Sequence, residues 1–272
     1  MFKTFYKCQS LGNDFILLDW LDKDQVSVDK VLEQDDWCKR IRKLCSRNFG
    51  IGADGVLIVK KRGNNCIEGI IFNADGSKGE VCLNGLRCIG FYLMEKKDYP
   101  TDLTVFMKNK MLHCFLRDDD IGIEIGDVIY KEEQAIEITG EWYKGHIVDV
   151  GNPHFVVLSH IDEKWLQNNG RFISENRYFS NQTNVEFIWK SSDSSEKNRY
   201  QMLVYERGCG MTLSCGSGAA AVVAVLHKLN KIKHDEMVFI DMLGGSLKTS
   251  INNENKVIQL AQAEIVFSGS FE

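Results

Sequence analysis

The chain has little proline, and it lacks long apolar runs, an excess of basic charge and closely paired cysteines. Among 272 residues there are only two prolines, Pro100 and Pro153, and no low-complexity segment, which excludes a proline-rich linker. No run approaches the roughly 18 apolar residues of a membrane-spanning helix. Lysine and arginine number 33 against 38 acidic residues, so the net charge of −5 does not indicate a nucleic-acid partner. We therefore expect a globular protein that binds neither membrane nor nucleic acid.

The nine cysteines contain no Cys-x-x-Cys pair and no spacing typical of a zinc site, so no metal is expected. The amino end, residues 1–8, lacks the apolar stretch and cleavage site of a signal peptide. We therefore expect a cytoplasmic location with mostly reduced thiols. Five cysteines are expected to be buried as small apolar side chains: Cys38, Cys45, Cys66, Cys88 and Cys114.

Short apolar runs between turn signals predict an α+β fold that is rich in sheet. The expected strands cover residues 2–7, 15–19, 56–61, 66–72, 103–107, 111–116 and 121–125. Gly12-Asn13-Asp14 is interpreted as a turn, residues 35–47 as a helix, and the segment from Cys82 to Lys97 as a second helix. The charged segment Arg117-Asp118-Asp119-Asp120 indicates a domain crossing near residues 115–120. Two domains are predicted, residues 1–116 with 262–272 and residues 117–261.

The second half of the chain repeats the first in outline. Gly151-Asn152-Pro153-His154 mirrors Gly12-Asn13-Asp14-Phe15, and an apolar run follows each. Asn73 and Glu206 each lie nine positions before a cysteine, Cys82 and Cys215, and each cysteine precedes a helix-like run. We interpret this as duplication of one β-rich unit with a central helix.

A cysteine at a helix start lies near unpaired backbone N–H groups and the positive end of the helix dipole. Both favour a thiolate and predict a lowered pKa for Cys82 and Cys215. The same N–H groups can bind a carboxylate. Two such thiols on opposite faces of one carbon could remove and return a proton next to that carboxylate. The spacing alone favours the other interpretation, two structural cysteines at helix starts.

Six short motifs follow one another along the chain: Leu11-Gly12-Asn13-Asp14-Phe15, Phe72-Asn73-Ala74-Asp75-Gly76-Ser77, Cys82-Leu83-Asn84-Gly85, Gly151-Asn152-Pro153-His154, Tyr205-Glu206-Arg207-Gly208 and Cys215-Gly216-Ser217-Gly218. In this order and spacing the chain resembles the diaminopimelate epimerase family over essentially its full length. The resemblance implies two similar domains, each a mixed β-sheet wrapped around a central helix, with the active site in the cleft between them. It also implies a homodimer and a cofactor-independent conversion of LL- to meso-diaminopimelate, a step of lysine and peptidoglycan-precursor synthesis.

The resemblance also implies a role for each matching residue. Cys82 and Cys215 would be the two bases, with His154 and Glu206 beside them as further catalytic groups. The residues expected to bind substrate are Asn13, Asn73, Leu83, Asn84, Asn152, Asn184, Glu206, Arg207, Gly216 and Ser217. Of these, Arg207 would bind a distal carboxylate, because a guanidinium forms two parallel hydrogen bonds with that group.

Two departures from the family pattern concern substrate range. Leu83 and Met211 stand where family members usually have glycine and glutamate. A racemase or epimerase of a related amino acid is therefore the alternative function on the same fold. A cysteine hydrolase is the rival of another class, although only His227 and His234 follow Cys215 and both lie close to it. A binding protein without catalysis is a further alternative.

The segment Gly50-Ile51-Gly52-Ala53-Asp54-Gly55 has the spacing of a dinucleotide-binding loop. Such a loop joins a strand to a following helix. Here a helix-like segment comes before the glycines and a strand-like one after them. The order is reversed, so we interpret this segment as a turn without a nucleotide.

Overall fold

The structure, a computed structural model, describes residues 4–23, 31–32, 36–62, 66–79, 81–108, 110–191 and 196–271. Phe2 and Lys3 of the first expected strand, and Asp35 of the first expected helix, lie outside these ranges. The chain divides into two units, Met1–Ile123 with Ala261–Glu272, and Glu124–Leu260. The limits expected from the sequence, after residues 116 and 261, stay predictions.

The first unit is a mixed β-sheet. Its strands are β1 (Thr4–Ser10), β2 (Asn13–Trp20), β3 (Gly55–Arg62), β4 (Cys66–Asn73), β5 (Asp102–Met107), β6 (Lys110–Arg117) and, from the end of the chain, β17 (Glu264–Ser270). A further strand, β7 (Asp120–Asp127), crosses the limit between the units. Neighbouring strands run antiparallel from β17 through β1 to β2, whereas β2–β3 and β4–β5 are parallel. Strands β1 to β7 match the runs expected from the sequence to within a few residues, whereas β17 was not expected.

One helix lies on each face of this sheet. Helix α1 (Asp36–Cys45) places Trp37 and Ile41 against Trp20 and Phe72. The other helix, α2 (Leu83–Lys97), is buried on almost every side along its first three turns. A helix that is apolar nearly all round needs cover all round. Here the curved sheet supplies that cover, so α2 is the central helix that the sequence predicts.

The hairpin between β1 and β2 is tighter than expected. Leu11 and Gly12 both have positive φ, 53° and 76°. Two consecutive left-handed residues form a two-residue turn that suits the twist of a hairpin. Ser10 therefore pairs directly with Asn13. Asn13 is the first residue of a strand rather than part of the turn.

The second unit has its own mixed sheet. Its strands are β8 (Ile129–Ile138), β9 (Glu141–Asp149), β10 (Pro153–Val157), β11 (Asn184–Lys190), β12 (Arg199–Glu206), β13 (Gly210–Met211), β14 (Val238–Met242), β15 (Gly245–Ile251) and β16 (Lys256–Ala261). Helix α3 (Glu163–Ser174) covers one face, with Leu166 and Ile173 against Phe187. Helix α4 (Gly216–Lys228) is the central helix, buried along residues 218–226.

The two units share one order of strand pairing. In the first, β2 is parallel to β3 with Phe15 opposite Gly55, and β3 is antiparallel to β4 with Val56 opposite Phe72. The second unit repeats both pairings. There β10 is parallel to β11 with His154 opposite Asn184, and Val185 stands opposite Tyr205. This confirms the predicted fold class of two similar units, each a sheet around a central helix.

The glycine-rich segment after α1 caps that helix. Backbone N–H groups of Ile51 and Gly52 both donate to the carbonyl of Leu44, at 3.0 Å each, and Ala53 donates to that of Cys45. A Cβ on Gly50 would lie 1.9 Å from the carbonyl oxygen of Lys43. The glycines therefore allow the chain to fold back onto the helix end, as the reversed order of elements suggests.

None of the nine cysteines forms a disulfide. Cys45, Cys88 and Cys114 are buried, as expected, but Cys38 and Cys66 are exposed, so that prediction is wrong for these two. Cys38 lies on the solvent-facing side of α1, and Cys66 is the exposed first residue of β4. None of the helices in the described ranges has the length and apolarity to cross a membrane. Within the same ranges, no group of three or more His, Cys, Asp or Glu side chains is arranged to bind a metal.

Candidate active site

Cys82 is the N-cap of α2. It has extended backbone angles, φ −116° and ψ 116°, and its Sγ accepts a hydrogen bond from the N–H of Gly85 at 3.4 Å. The amide oxygen of Asn13 lies 3.6 Å from the same Sγ. The structure thus brings together two of the residues predicted for this half of the site.

Asn13 is held by a network of charged groups. Its amide nitrogen donates to Asp54 at 3.0 Å. Arg47 bridges Asp54 and Asp14 at 2.8 Å each, and Lys7 pairs with Asp14 at 2.5 Å. This network fixes which end of the Asn13 amide faces Cys82. Asp54 is a positioning residue that the sequence reasoning did not identify.

The network predicts a loss of stability in acid. Burial disfavours the Asp14 carboxylate, but hydrogen bonds from Arg47, Lys7 and Asp54 outweigh it and hold the pKa of Asp14 well below its usual range. With the pKa lowered in the folded state, the stabilisation is complete above about pH 4 and is lost as the pH falls further. Asp14→Asn should therefore lower the free energy of unfolding by about 2 kcal/mol at pH 7 and by less at pH 3.

Urea unfolding at the two pH values measures this difference. Asp119→Asn, at an exposed turn, is the matched control and should change stability by no more than about 0.5 kcal/mol at either pH. An equal loss for Asp14→Asn at pH 7 and pH 3 would contradict the assigned ion pairs.

The other predicted residues of the first unit lie around the start of α2 or at the end of β4. Leu83 is the half-buried first residue of α2, and Asn84 is buried beside it. The amide oxygen of Asn84 accepts a hydrogen bond from Arg87 at 2.8 Å. Asn73 is exposed, and its amide donates to Ser77 at 2.9 Å. Asn84 therefore joins the helix start to a buried cation.

Cys215 is the N-cap of α4 and repeats the geometry of Cys82. Its Sγ accepts from the N–H of Gly218 at 3.3 Å and lies 3.4 Å from the hydroxyl of Ser217. The side chain is buried, whereas that of Cys82 is half-buried. The two cysteines thus occupy equivalent backbone positions with different access to solvent.

Glu206 lies beside Cys215 at the end of β12. Its carboxylate accepts a hydrogen bond from Thr212 at 2.5 Å and another from the Cys215 thiol. Burial raises the pKa of Glu206, while these two hydrogen bonds oppose that rise. When Glu206 is a carboxylate, it accepts the thiol hydrogen bond and repels a thiolate, so it favours the protonated form of Cys215.

The pKa of Cys215 departs from the sequence-based expectation. Burial removes the thiolate from water, and the carboxylates of Glu206 and Glu186 repel its charge. Together they raise the pKa well above its usual range, against the hydrogen bonds from Ser217 and Gly218. The predicted lowering is therefore wrong for Cys215, because burial and the two carboxylates outweigh the helix start.

His154 connects two neighbours of this cluster. Its Nδ1 lies 2.7 Å from Glu186 Oε1, and its Nε2 lies 3.1 Å from the amide oxygen of Asn152. His154 and Glu186 are fully buried. An oxygen therefore faces each ring nitrogen of His154, and each of these nitrogens can donate a hydrogen bond when it carries a proton. The contact leaves the Asn152 amide nitrogen as a donor.

Asn184 and Arg207 lie at the adjoining strand ends. The Asn184 amide accepts from the backbone N–H of Arg207 and donates to the carbonyl of Pro153, each at 2.9 Å. The Arg207 guanidinium donates to the carbonyl of Asn181 at 3.1 Å. Met211, at the position of the family's glutamate, packs on the apolar cluster beneath α3. The hydrogen bond from its backbone to Asn184 fixes the position of the Arg207 backbone, from which the side chain extends.

The sequence of this chain is similar to those of known proteins over nearly its whole length. The family model "Diaminopimelate epimerase" matches residues 5–131 and 146–266. The chain belongs to the diaminopimelate epimerase family. A diaminopimelate epimerase of Prochlorococcus marinus (strain NATL2A) is 30% identical over 100% of both chains. One of Carboxydothermus hydrogenoformans is 32% identical over 98% of each.

Solved structures with low identity share the fold. A hydroxyproline epimerase from Agrobacterium vitis has a TM-score of 0.71 at 13% identity, covering 99% of this chain and 92% of that one. A phenazine biosynthesis protein of Bacillus anthracis has a TM-score of 0.72 at 12% identity, covering 100% and 99%. Membership of the diaminopimelate epimerase family makes this chain an isomerase.

Proposed function

We propose that the protein interconverts LL- and meso-diaminopimelate by proton transfer at one α-carbon, without a cofactor. The observation that carries the proposal is a cysteine at the N-cap of each central helix, Cys82 and Cys215. One sulfur, as thiolate, takes the α-hydrogen as a proton. The other, as thiol, delivers its own proton to the opposite face. One proton leaves the carbon and one arrives, so the configuration inverts and the two thiols exchange protonation states.

The negative charge that develops on the substrate needs stabilisation. The first backbone N–H groups of a helix have no partner within it and can bind an anion. In the proposal the N–H groups at Leu83-Asn84 and Gly216-Ser217 hold the reacting carboxylate. Donors aimed at a developing charge are among the strongest contributions to catalysis.

The remaining polar residues would bind the rest of the substrate. Asn13 and Asn152 lie within hydrogen-bonding reach of Cys82 and His154 respectively. In the proposal both would contact the substrate near the reacting carbon. Arg207 would bind the distal carboxylate, with Asn73 and Asn184 completing the contacts. His154 and Glu206 would govern the protonation of Cys215.

We further propose a cytoplasmic location and, from the family resemblance, a homodimer. Nine cysteines without a disulfide support a reducing compartment, where thiols persist in the reduced form. The product would serve lysine and peptidoglycan-precursor synthesis.

Incubation with LL-diaminopimelate in heavy water, without added pyridoxal phosphate, tests the function. We expect meso product carrying one deuterium at the inverted carbon, and no deuterium exchange into free proline. Arg207→Lys should raise KM for diaminopimelate more than it lowers kcat, because lysine cannot form the two parallel hydrogen bonds of the guanidinium. Turnover of proline but not of diaminopimelate, or dependence on added cofactor, would refute the assignment.

A further inference from the structure

Asn13 and Asn152 occupy matching places in the two units, but their amides are held by different groups. Each lies two residues before a matched strand residue, Phe15 in the first unit and His154 in the second. The Asn13 amide nitrogen donates to Asp54 at 3.0 Å. In the second unit the Asn152 amide oxygen is held instead, at 3.1 Å from His154 Nε2. One amide is therefore fixed by its nitrogen and the other by its oxygen.

The backbone around Asn152 is fixed, so the amide is the part that can turn. Gly151 has φ 88°, and its N–H donates to Asp149 Oδ1 at 2.9 Å. The N–H of Val150 donates to the carbonyl of Asn152 at 3.1 Å. Within the residues that the structure describes, the Asn152 amide has one hydrogen-bonding partner, His154. Half a turn of the amide exchanges its oxygen and its nitrogen, so His154 decides which atom is left for a ligand.

Glu186 holds the other nitrogen of the His154 ring. Its Oε1 lies 2.7 Å from Nδ1, and both side chains are fully buried. The two are diagonal neighbours on one face of the sheet, because His154 pairs with Asn184 and Val156 pairs with Glu186. The carboxylate also rests against the first turn of α4, where a Cβ on Gly218 would lie 2.6 Å from Oε1. Contacts on two sides thus fix the position of the carboxylate.

These two contacts restrict where the protons lie. The Asn152 oxygen can only accept, so its contact needs a proton on His154 Nε2. The contact with Glu186 needs a second proton, which lies either on Nδ1 or on Oε1. Both arrangements have zero net charge, and in both Nε2 is a donor. Loss of one proton would leave a charge of −1, with the remaining proton between Nδ1 and the carboxylate and a lone pair on Nε2.

The surroundings favour the arrangement with zero net charge. Glu186 Oε2 is buried and has no hydrogen-bond partner in the described part of the chain, and a buried charge without compensation is costly. The titratable groups that interact with the pair are Cys215 at the start of α4, Glu206 on β12 and Asp149 on β9. Two of these are carboxyl groups, and as carboxylates they disfavour a further negative charge beside them.

We propose that Glu186 is a positioning residue for substrate binding, which acts through His154 to hold the Asn152 amide with its nitrogen free to donate to a substrate carboxylate. The inference rests on the proposed function in one respect, that Asn152 contacts the substrate. Carboxylates accept hydrogen bonds and ammonium groups donate them. The amide nitrogen therefore selects a carboxylate, whereas the oxygen would select an ammonium group.

The protonation of the His154 ring, measured without added substrate, is the direct test. NMR of protein labelled with 15N-histidine distinguishes a ring nitrogen that carries a proton from one that does not. His154→Gln identifies the signals among the six histidines. We expect Nε2 to carry a proton at about pH 6 and about pH 8, on both sides of the ordinary histidine titration. A wild-type Nε2 without a proton at about pH 8 would overturn the proposal.

Glu186→Gln tests the part played by the carboxylate in the same spectra. A glutamine amide can accept from Nδ1 or donate to it, so it does not decide which ring nitrogen has the single proton of a neutral ring. We expect Nε2 to be protonated in only part of the molecules at about pH 8. An unchanged Nε2 signal would remove Glu186 from the proposal.

A double-mutant cycle with Asn152→Ala tests the link to substrate binding. Glu186→Gln alone should raise KM for diaminopimelate about fivefold, the effect of one weakened hydrogen bond. In the Asn152→Ala background it should change KM by less than about 1.5-fold, because no amide is left to orient. Loss of the charge near Cys215 affects kcat in both backgrounds and does not enter this comparison. Equal changes of KM in the two backgrounds would contradict a role through Asn152.

Controls separate orientation of the amide from folding. Glu163→Gln removes a carboxylate from an exposed position on α3 and should leave KM and the His154 signals unchanged. Thermal unfolding of each variant shows whether the fold is intact. The wild-type His154 signals decide the protonation even if Glu186→Gln folds poorly. They are recorded without substrate, whereas failure of the proposed function would appear as absent turnover by the wild type, so the two failures are distinguishable.

Discussion

Replacing either Cys82 or Cys215 by alanine should lower kcat for LL-diaminopimelate epimerisation by about 10³-fold. Each sulfur is proposed to contact one face of the α-carbon, and inversion needs a proton removed on one side and delivered on the other. Without one sulfur, water has to replace a positioned acid or base. The loss should appear in kcat, because neither thiol is expected to bind the ground state strongly.

The measurement is the rate of stereochemical inversion together with deuterium uptake from heavy water. Cys209→Ala and Cys66→Ala are matched controls, since both cysteines are exposed, and each should retain wild-type rates. Thermal unfolding of every variant shows whether the fold is intact. Undiminished inversion by either Cys82→Ala or Cys215→Ala would end the two-base mechanism.

Gly50→Ala should destabilise the protein by about 3 kcal/mol. Its new Cβ would lie 1.9 Å from the carbonyl oxygen of Lys43 and 2.7 Å from that of Leu44. Both are backbone atoms at the end of α1, so no side chain can rotate away. Relief requires opening the N–H contacts from Ile51 and Gly52 that cap the helix.

Urea unfolding measures this loss, with Gly126→Ala as the control. A Cβ on Gly126 meets no atom within 4 Å, and this glycine is not among those with positive φ. The control should change stability by no more than about 0.5 kcal/mol. Equal stability of the two variants would show that the chain after α1 can shift at little cost.

The strands and central helices could be predicted from the sequence because their signals are local. Apolar runs between turn residues located β3 and β4, and a cysteine before an apolar run located the start of each central helix. The composition of Gly12-Asn13-Asp14 predicts a turn that includes Asn13. The hairpin instead turns at Leu11 and Gly12, so Asn13 belongs to β2.

The buried charges could not be predicted in the same way. Arg87 and Glu186 are single charged residues within apolar segments, and only their full burial shows that they matter. The partner of Glu186, His154, is 32 residues away in the chain. The wrong direction for the Cys215 pKa has the same origin, because a helix start is local whereas burial depends on the whole unit. A lone charge in an apolar run is the signal that could have identified both residues.

The strand order also bears on how the chain folds as it is synthesised. Residues 124–260 form one continuous stretch, so the second unit can begin to fold once that stretch has left the ribosome. The first unit cannot, because β1 pairs along its length with β17, more than 250 residues later. Until residues 264–270 emerge, β1 presents one open edge to other nascent chains. The half that begins first is therefore completed last.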